Sequence, residues 1–254
     1  MSDNPHSSDA YSPPEIAHKV ESLGVTKANA PAYRLFILAV LAGAFISLGA
    51  LFFAVTIADS NLGYGITRLI GGMSFCLGLI LVVVAGAELF TGNNLLAMAW
   101  ASRLISTRSL LRNWVIVYAG NAAGCVLTVM ACYAAGIHHS GNNAVGETLS
   151  GIALSKTTLS GEVIFIRAIM CNALVCLAVW LTLGGHSVTD KVLAILFPIT
   201  AFVAIGFEHS IANWFFIPYG MMLNPDLSVS GAVLNLAIST MGNIVGGTLL
   251  VSGV

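Results

Sequence analysis

Two eight-residue stretches decide how this sequence is read: Gly86-Ala87-Glu88-Leu89-Phe90-Thr91-Gly92-Asn93 and Gly206-Phe207-Glu208-His209-Ser210-Ile211-Ala212-Asn213. Both follow the pattern G-x-E-x-x-x-x-N, and each interrupts apolar sequence. Residues 69–87 precede the first break and 95–101 follow it; residues 192–205 precede the second and 214–223 follow it. Non-helical backbone at membrane depth is tolerated only where protein buries it or a wet cavity solvates it. Interrupted segments at matching places in two halves of a membrane chain mark a transport site. Further along each half, Gly120-Asn121-Ala122-Ala123-Gly124 and Gly242-Asn243-Ile244-Val245-Gly246 repeat G-N-x-x-G. Two matched motifs in the same order indicate an internal duplication.

The composition fits that reading. Of 254 residues, 57% are hydrophobic and 8% are charged, against about 25% charged in a soluble domain. So few charges cannot keep a fold of this size in water, whereas a bilayer makes the composition stable. The net charge of −1 offers no footprint for nucleic acid.

Apolar runs at 35–58, 69–87, 114–137, 163–183, 192–205 and 232–254 predict six crossings. A helical crossing needs about 20 residues. The second run is marginal and the fifth short, and these are the two that break. The expected fold is an all-α integral membrane protein of six transmembrane helices. Its second and fifth helices are broken, and it divides into three-helix repeats at about 33–137 and 163–254 within a channel domain of 33–254. Three crossings per repeat is an odd number, so the repeats are inverted relative to each other. Lys19, Lys27, Arg34, Arg103, Arg108, Arg112 and Lys191 fall on one side and Arg68 and Lys156 in loops on the other, which makes the first side cytoplasmic and holds both termini there.

Residues 1–32 are polar and lack the basic start and apolar stretch of a secretory signal. Within them Ile16, Val20 and Leu23 share a helical face, predicting a short amphipathic helix over 14–26 near the cytoplasmic mouth.

Ionisable groups within membrane spans are costly and mark pathways. The candidates are Glu88, Glu208, His209 and Arg167. Of six histidines, only His209 stands in apolar sequence. A lone histidine on an apolar face is ordinarily a satisfied core residue, but this one sits in a helix break beside Glu208 and opposite Thr91 of the other half. Protonated, it attracts an anion or hands it a proton; neutral, it still donates one hydrogen bond. Direct contact of Glu88 or Glu208 with an anion would be repulsive. Both are expected to accept hydrogen bonds from backbone N–H groups freed at the breaks, with Glu208 also orienting His209. Asn93, Asn121, Asn213 and Asn243 are assigned to the same task. No H-E-x-x-H, G-x-S-x-G or P-loop is present, so no catalytic constellation emerges. The five cysteines lie in apolar runs without metal-site spacing and read as packing residues. No cofactor or metal is expected.

The stretches GGMSFCLGLILVVVAGAELFTGN (71–93), KTTLS with CNALVCLAVW (within 156–180) and TDKVLAILFPITAFVAIGFEHSIAN (189–213) resemble the formate/nitrite transporter family. The resemblance runs from about residue 32 to the C-terminus. It implies an aquaporin-like fold, a homopentamer with one pore per protomer in the inner (cytoplasmic) membrane, and no enzymatic activity. It implies that Thr91 and His209 are the paired central residues, Asn172 a pore-lining amide, and Lys156 a lysine drawing anions toward the periplasmic mouth. Phe75, Leu79, Phe90, Val175 and Phe202 fall on positions forming two apolar constrictions. The implied substrate is a small weak-acid anion, accompanied by protons. GFEHSIAN, Ile217-Pro218 and the TDK triplet are more similar to formate channels than to nitrite ones; nitrite, hydrosulfide and lactate are handled by other members. An anion sensor without transport is the alternative of another class. Relatives continue beyond the sixth span, so the resemblance leads one to expect sequence after Val254.

Overall fold

The computed structural model describes residues 10–252; the first nine residues of the polar N-terminal segment and the last two of the sixth apolar run lie outside the described residues. The chain is all-helical: α1 Pro13–Ala28, α2 Ala32–Ile57, α3 Tyr64–Ala85, α4 Leu96–Ala101, α5 Thr107–Ala134, α6 Ala144–Thr157, α7 Gly161–Gly184, α8 Val188–Ile205, α9 Ser210–Leu223 and α10 Val229–Leu249. Six of these (α2, α3, α5, α7, α8 and α10) are long and apolar enough to cross a membrane among the described residues. Polarity is arranged for a lipid solvent. Eight asparagines (Asn93, Asn94, Asn113, Asn121, Asn172, Asn213, Asn235 and Asn243) are buried, while Phe52, Leu127 and Phe197 are exposed on the outer faces of spanning helices.

The helices pack as two bundles in contact. In one, α2 lies between α3 and α5; in the other, α7 lies between α8 and α10. The bundles meet through α3 against α8 and through α5 against α9. The two short crossings stop for the same reason. Each ends on a left-handed glycine: Gly86 at φ 74° and ψ 34° after α3, and Gly206 at φ 86° and ψ 38° after α8. A residue with a Cβ is disfavoured there by roughly 1–2 kcal/mol. The chain then runs without helix through Glu88 or Glu208 before helix resumes. On one side it resumes as a 3₁₀ turn, Gly92–Leu95, leading into α4; on the other it resumes directly as α9.

Two elements differ from the reading of the sequence. Arg68 and Lys156, expected in loops, are helical: Arg68 lies on the second turn of α3 and Lys156 in the last turn of α6. Helix α6 has 14 residues, too short for a crossing and flanked by polar sequence, so hydropathy does not reveal it. Helix α1 is capped by Ser12, whose backbone N–H and hydroxyl both donate to Glu15 Oε2 at 2.7 Å. Its buried stripe (Ile16, Val20, Gly24 and Ala28) faces α4, with α7 alongside; Leu23 is 42% exposed. The helix is docked on protein rather than laid on a headgroup surface. α6 docks on α9 in the corresponding place.

Candidate functional site

A helix that breaks inside a membrane leaves backbone groups that water cannot reach, and each costs several kcal/mol if left unpaired. Two asparagines resolve this. Asn121, on α5, accepts from Phe90 N at 2.8 Å and donates to Ala39 O at 2.7 Å and Glu88 O at 2.9 Å. Asn243, on α10, accepts from Ser210 N at 2.8 Å and donates to Ala168 O at 2.8 Å and Glu208 O at 2.9 Å. A single amide has one acceptor and two donors, and here all are used to join three segments. This is the physical content of G-N-x-x-G.

The glutamates do something other than the sequence suggested. Their carboxylates accept from side chains, because the asparagines already hold the backbone amides that follow the breaks. Glu88 Oε2 accepts from Lys27 Nζ at 3.2 Å and from Asn93 Nδ2 at 2.7 Å, and Asn93 also donates to Asn113 Oδ1 at 2.9 Å. Glu208 accepts from Lys156 Nζ at 3.0 and 3.1 Å and from Asn213 Nδ2 at 2.8 Å, while Asn213 donates to Asn235 Oδ1 at 2.7 Å. Each carboxylate is thus neutralised by a lysine from a docked helix, α1 on one side and α6 on the other. Asn113 and Asn235 close the set by donating to the lysine carbonyls, Lys27 O at 3.2 Å and Lys156 O at 3.0 Å.

Between these assemblies lie Thr91 and His209, both buried, with Thr91 Oγ1 and His209 Nε2 3.0 Å apart. His209 is also the N-cap of α9: its Nδ1 accepts from Ala212 N at 3.0 Å. A nitrogen that accepts carries no proton, so the neutral ring holds its hydrogen on Nε2 and donates it to the Thr91 hydroxyl. That leaves the Thr91 hydroxyl hydrogen for another acceptor. Asn172 Nδ2 lies 2.7 Å from Asn94 Oδ1, 2.7 Å from Asn243 O and 3.3 Å from Thr91 O. It fixes the backbone behind Thr91 rather than lining either cavity.

Two cavities flank the pair: His209 lines one of them, and Thr91 lines neither, its neighbour Gly92 lining the other. One, of about 260 Å³, is lined by Phe75, Lys156, Phe202, Glu208 and His209 among others. Phe75 and Phe202 meet edge-on with centroids 5.6 Å apart, and the His209 ring stacks on Phe202 at 5.8 Å. The other, of about 200 Å³, is lined by Lys27, Leu79, Glu88, Leu89 and Asn93 among others. Val175 is buried and lines neither. Phe90 lines neither as well: its ring turns toward α5, 5.0 Å from Tyr118 and 6.4 Å from Trp114. Its neighbour Leu89 takes the wall position instead.

Lys27, Asn113, Asn235 and Leu89 were not singled out from the sequence. A signal for the first existed: Leu23-Gly24-Val25-Thr26-Lys27 matches Ile152-Ala153-Leu154-Ser155-Lys156 residue type by residue type. The duplication therefore reaches back into segments read as a tail and a loop.

The family model described as formate/nitrite transporter matches residues 14–254. The chain belongs to the formate/nitrite transporter family. Within that family it is 37% identical over 269 residues to the formate channel FocA of Escherichia coli strain K12, across 98% of this chain and 94% of that one. Its fold is similar to a solved pentameric formate channel with formate bound, at TM-score 0.81 and 38% identity over 87% of this chain and 94% of that chain. It is also similar to a solved FNT family ion channel, at TM-score 0.84 and 27% identity over 93% and 96%. A formate/nitrite transporter family protein with six crossings is a membrane transporter, not an enzyme.

Proposed function

We propose that this protein is a channel for small monovalent weak-acid anions, formate foremost, passing between the two cavities by way of the Thr91–His209 pair. The observation that carries the reading is the 3.0 Å contact of these two buried side chains, with His209 lining the α6-side cavity and Leu89 and Gly92, which flank Phe90 and Thr91, lining the α1-side one. Names of the relatives, a formate channel and a formate-bound pentamer, supply the substrate and the homopentameric assembly.

The apolar walls resist a bare anion, because hydration worth several kcal/mol is lost on entry. Lys156 and Lys27 neutralise Glu208 and Glu88 beside the two approaches, so neither carboxylate repels an incoming anion. At the centre, the hydroxyl hydrogen of Thr91 is the group offered to the anion, and His209 polarises that hydroxyl by donating to it. Placing a second proton on His209 Nδ1 breaks the cap on α9, so protonation of the ring is opposed by the fold. Formate that crosses as formic acid then draws its proton from the solution it leaves, with His209 serving as a fixed donor.

The protein sits in the cytoplasmic membrane with its lipid face formed by exposed residues such as Phe52, Leu127 and Phe197. Lys19, Lys27, Arg34, Arg103, Arg108, Arg112 and Lys191 support both termini and the α1 side being cytoplasmic, and the two repeats having inverted topology.

Flux into proteoliposomes tests this, comparing formate with nitrite across pH ~5 to ~8, the span around an unperturbed imidazole. The expected outcome is formate flux exceeding nitrite flux and strongly reduced in Thr91→Ala. Preferential nitrite flux keeps the channel and overturns the substrate. Ligand binding without flux moves the protein to the sensor class.

A further inference from the structure

The two cavities are not charged alike. The α1-side cavity carries one cation, Lys27, and one carboxylate, Glu88, in contact with each other. The α6-side cavity carries Arg68, Lys156 and Arg167 against the single carboxylate of Glu208. Lys156 and Glu208 neutralise each other at 3.0 Å. Arg68 is engaged with the carbonyls that end α8: its Nε donates to Ala204 O at 3.1 Å, and a second guanidinium nitrogen donates to Val203 O. These carbonyls are the negative end of the α8 dipole and offset about half a charge, so Arg68 remains in part uncompensated. The Arg167 side chain has no hydrogen bond, ion pair or ring contact among the described residues, although its backbone O accepts from Glu208 N at 3.4 Å.

Arg167 lies six residues into α7, about 9 Å along the helix from its start. Arg167 is exposed and lines the cavity with Phe202 and Phe207, so its guanidinium is open to a ligand and held by no protein partner among the described residues. Its planar fork matches a carboxylate or another oxyanion in two-point contact. We propose that Arg167 captures the incoming anion in a subsite of the α6-side cavity, before the anion reaches Thr91 and His209. Arg68 adds field without contact. The ligand class is a small monovalent carboxylate or comparable oxyanion. The two mouths of the pore therefore differ in affinity, with the α6 side binding more tightly. This inference rests on the channel reading above.

The test is formate flux through the protein in planar phosphatidylcholine bilayers, started from each side in turn. Sidedness is read from protease access to the chain before Pro13. At low ionic strength, half-saturation from the α6 side is expected about tenfold below that from the α1 side, the lower end of what a charged cleft provides. At about 0.5 M salt the difference collapses, because the screening length is then a few ångströms. In Arg167→Gln the α6-side value rises to meet the α1-side value, and Arg167→Lys, which keeps charge but not the fork, falls between. Wild type with equal half-saturation from both sides overturns the proposal. So does Arg167→Gln with an unchanged α6-side value, the result expected if the guanidinium is held by lipid phosphate. Either outcome leaves the channel standing, whereas wild type that carries no formate from either side takes down both readings. Arg167→Gln protein that melts with wild type in detergent secures the comparison.

Discussion

Asn121 and Asn243 make the same three hydrogen bonds in the two halves of the molecule, each tying the backbone after a helix break to a carbonyl inside the break and to a neighbouring spanning helix. Replacing either amide by leucine strands one N–H and the C=O inside the break where no water is available, while Ala39 O and Ala168 O, inside α2 and α7, keep their intrahelical bonds. At 1–3 kcal/mol for each buried unpaired group, Asn243→Leu is expected to cost about 2 kcal/mol or more. A thermal melt of the purified protein in detergent measures it, and a loss below about 1 kcal/mol would show that the loop repairs itself.

The two glutamate–lysine contacts are chemically alike but differ in burial. The Lys156 side chain is 12% exposed and that of Lys27 is 30% exposed. Removing one partner of a buried pair costs about 3–5 kcal/mol, while a solvated pair is worth at most about 1. Lys156→Met is therefore expected to destabilise far more than Lys27→Met. Adding Glu208→Gln to Lys156→Met should recover part of the loss, since the stranded charge is removed. A double-mutant cycle on thermal unfolding decides, and equal effects of the two lysines would refute the burial argument.

His209 has two tasks that can be separated. Asparagine caps helices well, whereas alanine does not, and loss of a cap costs about 1 kcal/mol. His209→Asn should keep near wild-type stability while changing conduction, because it cannot supply the donor to Thr91. His209→Ala should lose both. If His209→Asn and His209→Ala melt together, Nδ1 is not acting as the cap.

Gly206 ends α8 in the left-handed region. Gly206→Ala is expected to cost about 1–2 kcal/mol from backbone strain alone. The same change at Gly86 should cost a similar amount, as neither added Cβ meets backbone or core, and Arg68 Nη2 is the one atom near that of Gly206, at 3.5 Å. Melting curves of the two variants, compared with each other, isolate the strain from any local clash.

Hydrogen bonds from Ser12 hold the Glu15 carboxyl below its usual value. A depressed value means the cap on α1 is complete above the ordinary glutamate range and is lost as pH falls through the lowered one. The protection of amides over Ile16 to Lys19, taken relative to the intrinsic exchange rate at each pH, should fall only on the acid side of that range. Protection that is flat with pH, or that falls toward alkaline pH, would contradict the cap.

Much of this was legible because the duplication doubles every signal. Glu88 and Glu208, and Asn121 and Asn243, are found by comparing the chain with itself. The role of the glutamates was not legible: which groups a carboxylate accepts from depends on who else reaches the break, and Asn121 and Asn243 reach it first. Lys27 escaped because it lies in polar sequence, where a helix docked on protein looks like a tail. Phe90 and Leu89 are adjacent and both apolar; only the turn after Glu88 decides which faces the cavity.

The central pair carries a consequence for ancestry. Aligned on their breaks, Leu89, Phe90 and Thr91 stand where His209, Ser210 and Ile211 stand in the other half, and Asn93 N and Asn213 N accordingly bond to Leu89 O and His209 O. A symmetric assembly of two identical half-chains would repeat every contact, so a histidine–threonine pair would come with its own copy across the axis. Here the positions equivalent to His209 and Thr91 are Leu89 and Ile211, both apolar, so joining the halves in one polypeptide let the breaks diverge until a single polar pair stood at the centre.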